Sequence, residues 1–446
     1  MIDPASELPG AQPPKPFSVA VVGGGLGGVV LAIALLVHRV PVHIYESAKS
    51  FGEIGAGVAF GPNSVRALAL ISPQLREAIA RHATCNATPG LEDVFLSFRR
   101  GQASDGGMVD GRKAGSPGEW LFDLKNEQSA DNLTGLPLRC CVHRAKFLDE
   151  VIKLVPEGAA SFNKSLTAID ELTTEEGGGV RLHFSDGTSA VASAAIGCDG
   201  IKSKARQYVH GLEAQPTFTG CYAIRAMVSS AAFEKAMGRE STFNGQMYAG
   251  RGGYIITYPV DHGKLINVLA SRSHPGSTWS QEAWLSPSTK EEMVEELHGW
   301  HPVLVEFLAQ YGTMEKWALF DYHHDRKYWR GRVCLLGDAA HATTPHLGAG
   351  AGQAMEDAYV LSNLLGKAET AEDLPNVFQA YDAVRRPRTQ QVVEFSRQSG
   401  LALAGLEEGV GTDYAKLEAV SVERFRWVWN EDLQKELDEA AGAMAA

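Results

Sequence analysis

Residues 17–37 read FSVAVVGGGLGGVVLAIALLV, an apolar stretch with a glycine-rich centre. Its pattern predicts a buried parallel strand over Phe17–Val22 and a helix over Val29–Val37. Between them, residues 23–28 have the spacing G-x-G-x-x-G on a strand-to-helix turn. Such a turn presents the free N–H groups of a helix N-terminus, which bind anions. The stretch therefore predicts a Rossmann-like α/β unit.

Three glycines of this turn have separate tasks. Gly23 permits the tight turn, Gly25 lets the backbone approach a pyrophosphate, and Gly28 allows close packing of the helix on the strand. A second predicted strand, Val40–Tyr45, ends at Glu46, where a carboxylate can accept hydrogen bonds from a ribose diol. Strand, turn, helix and acidic residue together predict dinucleotide binding.

The same stretch could be mistaken for a membrane span, because residues 19–37 contain no charged side chain. Five of these residues are glycine, however, and the preceding sequence is polar and rich in proline. It contains no basic region of the kind that opens a signal peptide. We therefore predict no membrane span.

Composition narrows the possible partners. The chain has 446 residues, with 41 Lys and Arg against 53 Asp and Glu, and a formal net charge of -12 at pH 7. Affinity for nucleic acid rests on clustered Lys and Arg, so nucleic acid is excluded as a partner. The six cysteines, at positions 85, 140, 141, 198, 221 and 334, include no CxxC pair. We predict reduced thiols, no metal site and a cytoplasmic location.

Three later segments continue the glycine-rich pattern: GCDGIKSKAR over 197–206, GRVCLLGDAAH over 331–341 and PHLGAGAG over 345–352. A strand over Arg332–Leu336 brings Asp338 to the carboxyl edge of the sheet, where it can hold a ribityl or ribose hydroxyl. A helix is predicted to start near Gly352. The glycines and alanines before it leave backbone N–H groups open to a ring carbonyl.

With the N-terminal turn, these segments make the sequence resemble the class A flavoprotein aromatic hydroxylases, the family with the para-hydroxybenzoate hydroxylase fold. The resemblance runs from Phe17 to about Arg388. It implies FAD as cofactor, held by the glycine turn and by the following residues: Glu46, Arg144, Asp199, Asp338, Gly348, Ala349 and Gly350. Two alternatives stay open, a surface ion pair for Arg144 and a turn-capping role for Asp199.

No second G-x-G-x-x-G follows a strand, and the cysteines include no CxxxxC redox pair. The sequence therefore lacks the second dinucleotide domain of the disulfide reductases. The resemblance implies instead that NADH or NADPH binds transiently as the reductant.

Segment 211–321 has a different character. It contains short runs rich in Tyr, Ile and Val, at Cys221–Val228, Gln246–Ala249, Tyr254–Tyr258 and Leu265–Ser271. These runs predict an antiparallel sheet laid against the FAD domain. Alternation places Arg225 on one face of its strand with Ala223 and Met227. If this face is toward the flavin, Arg225 is a buried cation that needs an anion; the alternative is an edge-strand arginine in solvent.

Further segments resemble the salicylate 1-hydroxylases, namely Gln246–Tyr248, Thr257–Val260, Lys264–Val268 and Arg424–Asn430. The resemblance implies a monooxygenase that uses molecular oxygen to hydroxylate a phenolic aromatic acid through a flavin C4a-hydroperoxide, with salicylate converted to catechol. The chief alternative is the group of fungal monooxygenases that dearomatise polyketide phenols. These also have an arginine and a tyrosine at the spacing of Arg225 and Tyr258.

The candidate catalytic residues are His346, Arg225 and Tyr258. His346 is predicted to lie beside the flavin, where its imidazole can take the phenol proton or bond to the phenolate. The alternative is a residue that only packs. A flavin halogenase is disfavoured, because the only W-x-W, at Trp427–Trp429, lacks the expected continuation. A non-enzymatic FAD sensor is the remaining class.

The predicted fold class is α/β, with a Rossmann-like FAD-binding domain, a discontinuous antiparallel-sheet substrate domain and a C-terminal helical tail. The predicted bounds are 16–90, 136–210 and 322–400 for the FAD domain, 91–135 and 211–321 for the substrate domain, and 401–446 for the tail. Residues 412–444 are predicted to form a helix. The sequence leaves a monomer and a homodimer equally open.

Overall fold

The computed structural model describes residues 13–52, 57–103, 115–125, 140–279 and 284–445. The strands are β1 (Val19–Val22), β2 (Val42–Tyr45), β3 (Gly57–Phe60), β4 (Val94–Arg100), β5 (Trp120–Lys125), β6 (Cys140–His143), β7 (Ala160–Ser161), β8 (Leu166–Glu171), β9 (Val180–Phe184), β10 (Ser189–Ala192), β11 (Ala194–Gly197), β12 (Thr217–Ser229), β13 (Gln246–Gly250), β14 (Gly253–Val260), β15 (Leu265–Ser273), β16 (Leu285–Pro287), β17 (Glu315–Asp321), β18 (Trp329–Arg330) and β19 (Val333–Leu335).

The helices are α1 (Leu26–Val37), α2 (Pro62–Ile71), α3 (Pro73–His82), α4 (Arg144–Val151), α5 (Lys204–His210), α6 (Ser230–Phe243), α7 (Lys290–Glu296), α8 (Pro302–Tyr311), α9 (Asp338–His341), α10 (Gly350–Lys367), α11 (Leu374–Leu403), α12 (Tyr414–Trp429) and α13 (Leu433–Ala445). A 3₁₀ turn, Pro345–Leu347, lies shortly before α10. No helix among the described residues is long and apolar enough to cross a membrane.

The first sheet has the order β18-β19-β11-β1-β2-β7, and its strands from β19 to β7 are parallel. Strand β1 is fully buried, and α1 packs against β1, β2 and α10. The carboxyl ends of the parallel strands therefore meet at one edge, as the sequence predicted. The predicted Rossmann-like α/β unit is confirmed.

The glycine turn after β1 is held by close backbone contacts. Gly23 has a φ of 107°, and a Cβ at this position would lie 2.4 Å from the carbonyl oxygen of Cys198. A Cβ at Gly28 would lie 2.1 Å from the carbonyl oxygen of Gly23. Helix α1 begins at Leu26, three residues earlier than predicted, with Gly25 as its N-cap and no side chain bonded there. The first N–H groups of α1 are therefore not capped by a side chain.

The second large sheet has the order β16-β17-β12-β15-β14-β13-β4-β5 and contains all four strands predicted in segment 211–321. Its pairs are antiparallel, except that β13 and β4 run parallel. On β12, Ile224 and Ala226 belong to an apolar cluster with α8, while Arg225 faces the opposite side. The predicted division of the β12 faces is therefore correct.

The tail is helical, as predicted, but it forms two helices instead of one. Helix α12 ends at Trp429, and the side chain of Asp432 then accepts a hydrogen bond from the backbone N–H of Lys435 in the first turn of α13. Helix α12 packs on the second sheet, where the rings of Phe425 and Trp429 lie 5.6 and 4.8 Å from that of Phe95. Helix α13 packs on α10 and α11. The tail thus contacts both the second sheet and the helices α10 and α11.

A buried ion cluster joins α10 to α11. Arg385 Nε lies 2.8 Å from Oδ1 of Asp357, and one of its terminal nitrogens lies 2.8 Å from Glu356. Arg388 forms a second ion pair with Glu356, and His341 Nε2 lies 2.6 Å from Asp357. Burial alone would raise the pKa of Asp357, but His341 and Arg385 outweigh it and lower the pKa to about 2. The carboxylate is therefore ionised at neutral pH.

We predict that Asp357→Asn lowers the free energy of unfolding by about 3 to 5 kcal/mol at pH 7, because it leaves the charge of Arg385 partly uncompensated in the interior. The control is Glu439→Gln, whose ion pair with Lys435 is exposed and should contribute about 1 kcal/mol or less. Urea denaturation gives both values. The folded pKa of Asp357 is depressed, so its contribution is present above about pH 4 and is lost as the pH falls toward 2. Equal losses in the two variants would contradict the prediction.

Candidate active site

A cavity of about 470 Å³ lies between the two large sheets. The first sheet contributes the glycine turn (Gly25–Gly27) and the turn at Leu336–Asp338, and the segment Thr343–Gly348 closes one side. The second sheet contributes side chains from β12, β13, β14, β15 and β17. The cavity therefore has one wall rich in backbone N–H groups and one wall made of side chains.

Glu46 organises the glycine turn. Its Oε2 accepts a hydrogen bond of 2.6 Å from the N–H of Gly24, and its Oε1 accepts one of 2.7 Å from the N–H of Ala48. The carboxylate therefore stands at the carboxyl end of β2, where the sequence placed it. Its expected contact with a ribose remains a prediction.

Arg144 and Asp338 line the cavity from two different elements. Arg144 is the first residue of α4, directly after β6, and Asp338 is the first residue of α9, directly after the β19 turn. Asp338 is exposed and lines the cavity, whereas its neighbours Ala339 and Ala340 are buried. The structure brings both residues together with the glycine turn.

Asp199 does not line the cavity. Its Oδ2 accepts hydrogen bonds of 2.7 and 3.0 Å from the backbone N–H groups of Lys204 and Ala205, and Ser203 donates to Oδ1. Burial raises the pKa of Asp199 against the opposing effect of these hydrogen bonds. These contacts are the ones expected if Asp199 caps the turn, which is the alternative interpretation of this residue. A contact between Asp199 and FAD remains a prediction.

The entry to α10 suits a planar ring. Gly348 has a φ of 60°, in the left-handed region, and no heavy atom lies within 4 Å of the position that its Cβ would take. Helix α10 begins at Gly350, two residues before the predicted start, and Ala349 is its N-cap without a side-chain bond. Gly348 and Gly350 line the cavity, whereas Ala349 does not. Open space beside uncapped N–H groups fits the carbonyl edge of a flavin.

Arg225 faces the cavity from β12. Its guanidinium carbon lies 3.7 Å from the ring centroid of Trp317 on β17, and burial lowers its pKa. Among the described residues, no carboxylate forms an ion pair with Arg225. Strand β12 lies between β17 and β15 and Arg225 is half-buried, so the alternative of an edge-strand arginine in solvent is wrong. The chain holds a partly desolvated cation in the cavity wall.

Tyr258 lies at one end of the same wall. Its hydroxyl donates a hydrogen bond of 3.0 Å to the carbonyl oxygen of Gly57 on β3, which ties β14 to the two-stranded sheet of β3 and β6. Its cross-strand partner Asn267 is 4% exposed and also lines the cavity. Tyr258 is thus already bonded to the backbone through its phenol.

His346 lies at the other end, in the 3₁₀ turn before α10. Its Nδ1 is hydrogen-bonded to the hydroxyl of Tyr254 at 3.0 Å, and the two rings are 5.6 Å apart in an edge-to-face arrangement. The Cδ2–Nε2 edge of the imidazole lies against Gly400 of α11, where a Cβ would come within 2.7 Å of Nε2. Burial lowers the pKa of His346 to about 4, so the imidazole is neutral at pH 7.

The three candidate catalytic residues do not converge on one point. Tyr254, which bonds to His346, and Tyr258 are four residues apart on β14, a separation of about 14 Å at roughly 3.4 Å per residue. Arg225 is level with Ile256, midway between them, through the pairings of β12, β15 and β14. A single aromatic ring therefore reaches Arg225 and one end of the wall, but not both ends.

Sequence reasoning missed three residues of this wall: Tyr254, Asn267 and Trp317. Tyr254 could have been predicted, because strand alternation places it on the same face of the strand as Ile256 and Tyr258. Trp317 gave no such signal, since it is about 90 residues from Arg225 along the chain and becomes its neighbour only through the pairing of β12 with β17. No group of His, Cys, Asp and Glu side chains that could hold a metal occurs in the part of the chain that the structure describes.

Known proteins share this architecture. The 6-methylsalicylate 1-monooxygenase of Aspergillus terreus is 38% identical over 432 residues, which cover 96% of this chain and 92% of that protein. A salicylate hydroxylase of Pseudomonas putida is 38% identical over 437 residues, which cover 95% of this chain and 94% of that protein. The solved structure of a salicylate hydroxylase substrate complex has a TM-score of 0.79 and 33% identity, covering 96% of this chain and 98% of that one.

Residues 17–396 match the family model of the FAD binding domain. The match includes β1, the glycine turn, β11, β19 and the start of α10, which are the elements that form one wall of the cavity. The predicted cofactor FAD is confirmed by this match. The chain belongs to the FAD binding domain family, in the branch of FAD-dependent aromatic monooxygenases that contains the salicylate hydroxylases.

Proposed function

We propose that this FAD-dependent aromatic monooxygenase acts on a one-ring phenolic acid, and that its reaction is the decarboxylative hydroxylation of salicylate to catechol. The observation that supports this most directly is Arg225, a partly buried cation without a carboxylate partner among the described residues. An uncharged wall could not hold the anionic group of such a substrate out of water. The names of the two relatives, both of which contain salicylate, point to the same substrate class.

The wall of the first sheet holds the cofactor. The turn at Gly23–Gly28 and the N-terminus of α1 suit the pyrophosphate, Glu46 and Asp338 suit hydroxyl groups, and Arg144 is a cation at the cavity edge. The N-terminus of α10 suits the negative charge that a reduced isoalloxazine carries. Bound FAD, reduced by a transiently bound NADH or NADPH, supplies an oxygen atom from O₂ to the substrate ring.

The wall of the second sheet holds the substrate. Arg225 binds the carboxylate by charge-assisted hydrogen bonds, which are stronger than neutral ones. Neutral His346 and Tyr254, whose hydroxyl is hydrogen-bonded to Nδ1 of the imidazole, both line the cavity, and we assign this pair to the phenol end of the substrate. Apolar side chains on the same face, including Leu269 and Ile256, exclude water from the reacting carbon.

A larger phenol of the polyketide type is the second candidate. The separation of about 14 Å between the Tyr254 and Tyr258 positions favours it, because a longer substrate could reach Arg225, Tyr258 and His346 together. Such a substrate would be dearomatised or hydroxylated without loss of carbon dioxide. Product analysis separates the two candidates.

We predict that the holoenzyme with salicylate, NADH and O₂ forms catechol and carbon dioxide in equal amounts, each close to one per NADH oxidised. The replaced carboxyl group leaves as CO₂, so both products arise from a single hydroxylation. Chromatography with mass detection measures catechol, and labelled carboxyl carbon measures CO₂. NADH oxidation that yields only hydrogen peroxide, together with a quinol from a polyketide phenol, would favour the second candidate.

We predict that Glu46→Ala weakens FAD binding by about 10-fold to 150-fold, since losing an ionised hydrogen-bond acceptor costs roughly 1.5 to 3 kcal/mol. In this variant the backbone N–H groups of Gly24 and Ala48 also lose the carboxylate to which they donate hydrogen bonds in the wild type. Glu46→Gln, which keeps one acceptor oxygen, should lie between the wild type and Glu46→Ala. Flavin fluorescence on dilution measures the dissociation constant, and unchanged retention in Glu46→Ala would rule out the assigned role.

We predict that His346→Ala keeps FAD but slows ring hydroxylation by about 100-fold to 10,000-fold, the usual range for a lost general base. Hydrogen peroxide released per NADH should rise, and higher pH should restore part of the rate by supplying phenolate from solvent. The wild-type kcat/KM should keep its value down to about pH 5, because the lowered pKa of His346 leaves the imidazole neutral above about 4.

The control is His183→Ala, on β9 in the separate three-stranded sheet, where the imidazole pairs with Asp170 at the surface. It should leave coupling and rate unchanged. Loss of flavin or of thermal stability in His346→Ala, with the product yield per NADH intact, would assign His346 to packing against Tyr254 and Gly400.

A further inference from the structure

Trp317 and Arg225 are neighbours across two strands. In the pairing of β12 with β17, Trp317 is directly opposite Ala223, so Arg225 is its diagonal neighbour on the same face. The guanidinium carbon lies over the indole ring, 3.7 Å from the ring centroid. Both side chains line the cavity. The rigid indole therefore supports the one end of Arg225 that can bind an anion.

This support has a physical effect on anion binding. An arginine side chain carries about 2 kcal/mol of rotamer entropy, part of which is lost when the guanidinium is fixed by a ligand. Stacking on an aromatic ring restricts the guanidinium before the ligand arrives. The restriction matters here because Arg225 has no carboxylate partner among the described residues that could hold it in place.

The indole N–H of Trp317 is a second donor without a partner. Its Nε1 is shielded from solvent and makes no hydrogen bond within the described part of the chain. A buried donor left unsatisfied costs about 1 to 3 kcal/mol, so such groups are rare unless a ligand completes them. Trp300 Nε1 is also without a partner, but Trp300 belongs to the apolar cluster on the opposite face of the sheet. Trp329 Nε1 is likewise unbonded, but it does not line the cavity; among the tryptophans of the described part of the chain, only Trp317 has both an unbonded N–H and a place in the cavity wall.

We propose that Trp317 is a specificity-determining residue, which positions the guanidinium of Arg225 by stacking and donates its indole N–H to the carboxylate of an aromatic acid substrate. The proposal rests on the proposed function and assigns the carboxylate end of the substrate to the middle of β12 and β17. The phenol end is then directed toward His346. A substrate in which the carboxylate is replaced by a carboxamide keeps an acceptor oxygen but loses the negative charge that strengthens the hydrogen bonds from both donors.

The test uses the oxidised holoenzyme, so that binding is measured without turnover. Salicylate and its neutral analogue salicylamide are titrated while the flavin absorbance is followed. Trp317→Phe keeps an aromatic face for Arg225 and loses the N–H, and should weaken salicylate binding about tenfold while salicylamide changes by about twofold or less. Trp317→Leu also loses the stacking face and should weaken salicylate further.

Trp300→Phe is the matched control, because it removes a buried, unpartnered indole N–H from the apolar cluster that packs on the other face of the same sheet, away from the cavity. It should leave both dissociation constants unchanged. In turnover, Trp317→Phe should raise the KM for salicylate more than it lowers kcat, since binding of the carboxylate is affected in the ground state and the transition state alike.

An unchanged salicylate affinity in Trp317→Phe, or an equal loss for salicylate and salicylamide, would overturn the proposal. If Trp317→Phe loses FAD, Arg225→Lys provides the second measurement, because it keeps the charge but loses the planar stack and should weaken salicylate selectively. Equal weakening of both ligands in that variant contradicts the proposal. A wild-type holoenzyme that binds neither ligand overturns the proposed substrate itself, and this failure is seen without any variant.

Discussion

The buried carboxylate of Asp357 holds together the elements that shape the cavity. It accepts a hydrogen bond of 3.0 Å from the N–H of Gly337, lies 2.6 Å from His341 Nε2 and pairs with Arg385 at 2.8 Å. Gly337 has a φ of 63° and directly precedes Asp338 in the cavity wall. In the low-dielectric interior, loss of any one of these partners leaves a buried polar group unpaired, so the contacts stabilise the structure only when all of them are present. The position of Asp338 therefore depends on charges that never face the cavity.

The two walls of the cavity divide the chemistry between backbone and side chains. The first sheet presents helix N-termini and glycines, because an anionic cofactor is best met by N–H groups that no Cβ obstructs. The second sheet presents Arg225, Tyr258 and Asn267, whose spacing is set by strand pairing and is as rigid as the sheet. Substitutions in the second wall can therefore change which substrate binds while cofactor binding is preserved.

Periodicity placed Arg225 on the correct face of β12, because strand alternation does not depend on the rest of the fold. The same rule applied to β14 would have placed Tyr254 on the same face as Tyr258. The sequence could not show that the hydroxyl of Tyr254 meets His346, since these residues are 92 positions apart. Nor could it show that burial lowers the pKa of His346 to about 4, which makes the imidazole a weaker base than its type suggests.

The sequence by itself determined the α/β fold, the turn at Gly23–Gly28 and dinucleotide binding, because each follows from local spacing and from backbone conformations that only glycine adopts readily. That the dinucleotide is FAD was implied by the resemblance to a known family. Only the tertiary structure decided that the hydroxyl of Tyr254 bonds to His346 and that Trp317 stacks on Arg225. These contacts join residues whose local sequences carry no mutual signal. They form because strand pairing and helix packing bring distant side chains within about 4 Å, the range at which dispersion and hydrogen bonding act.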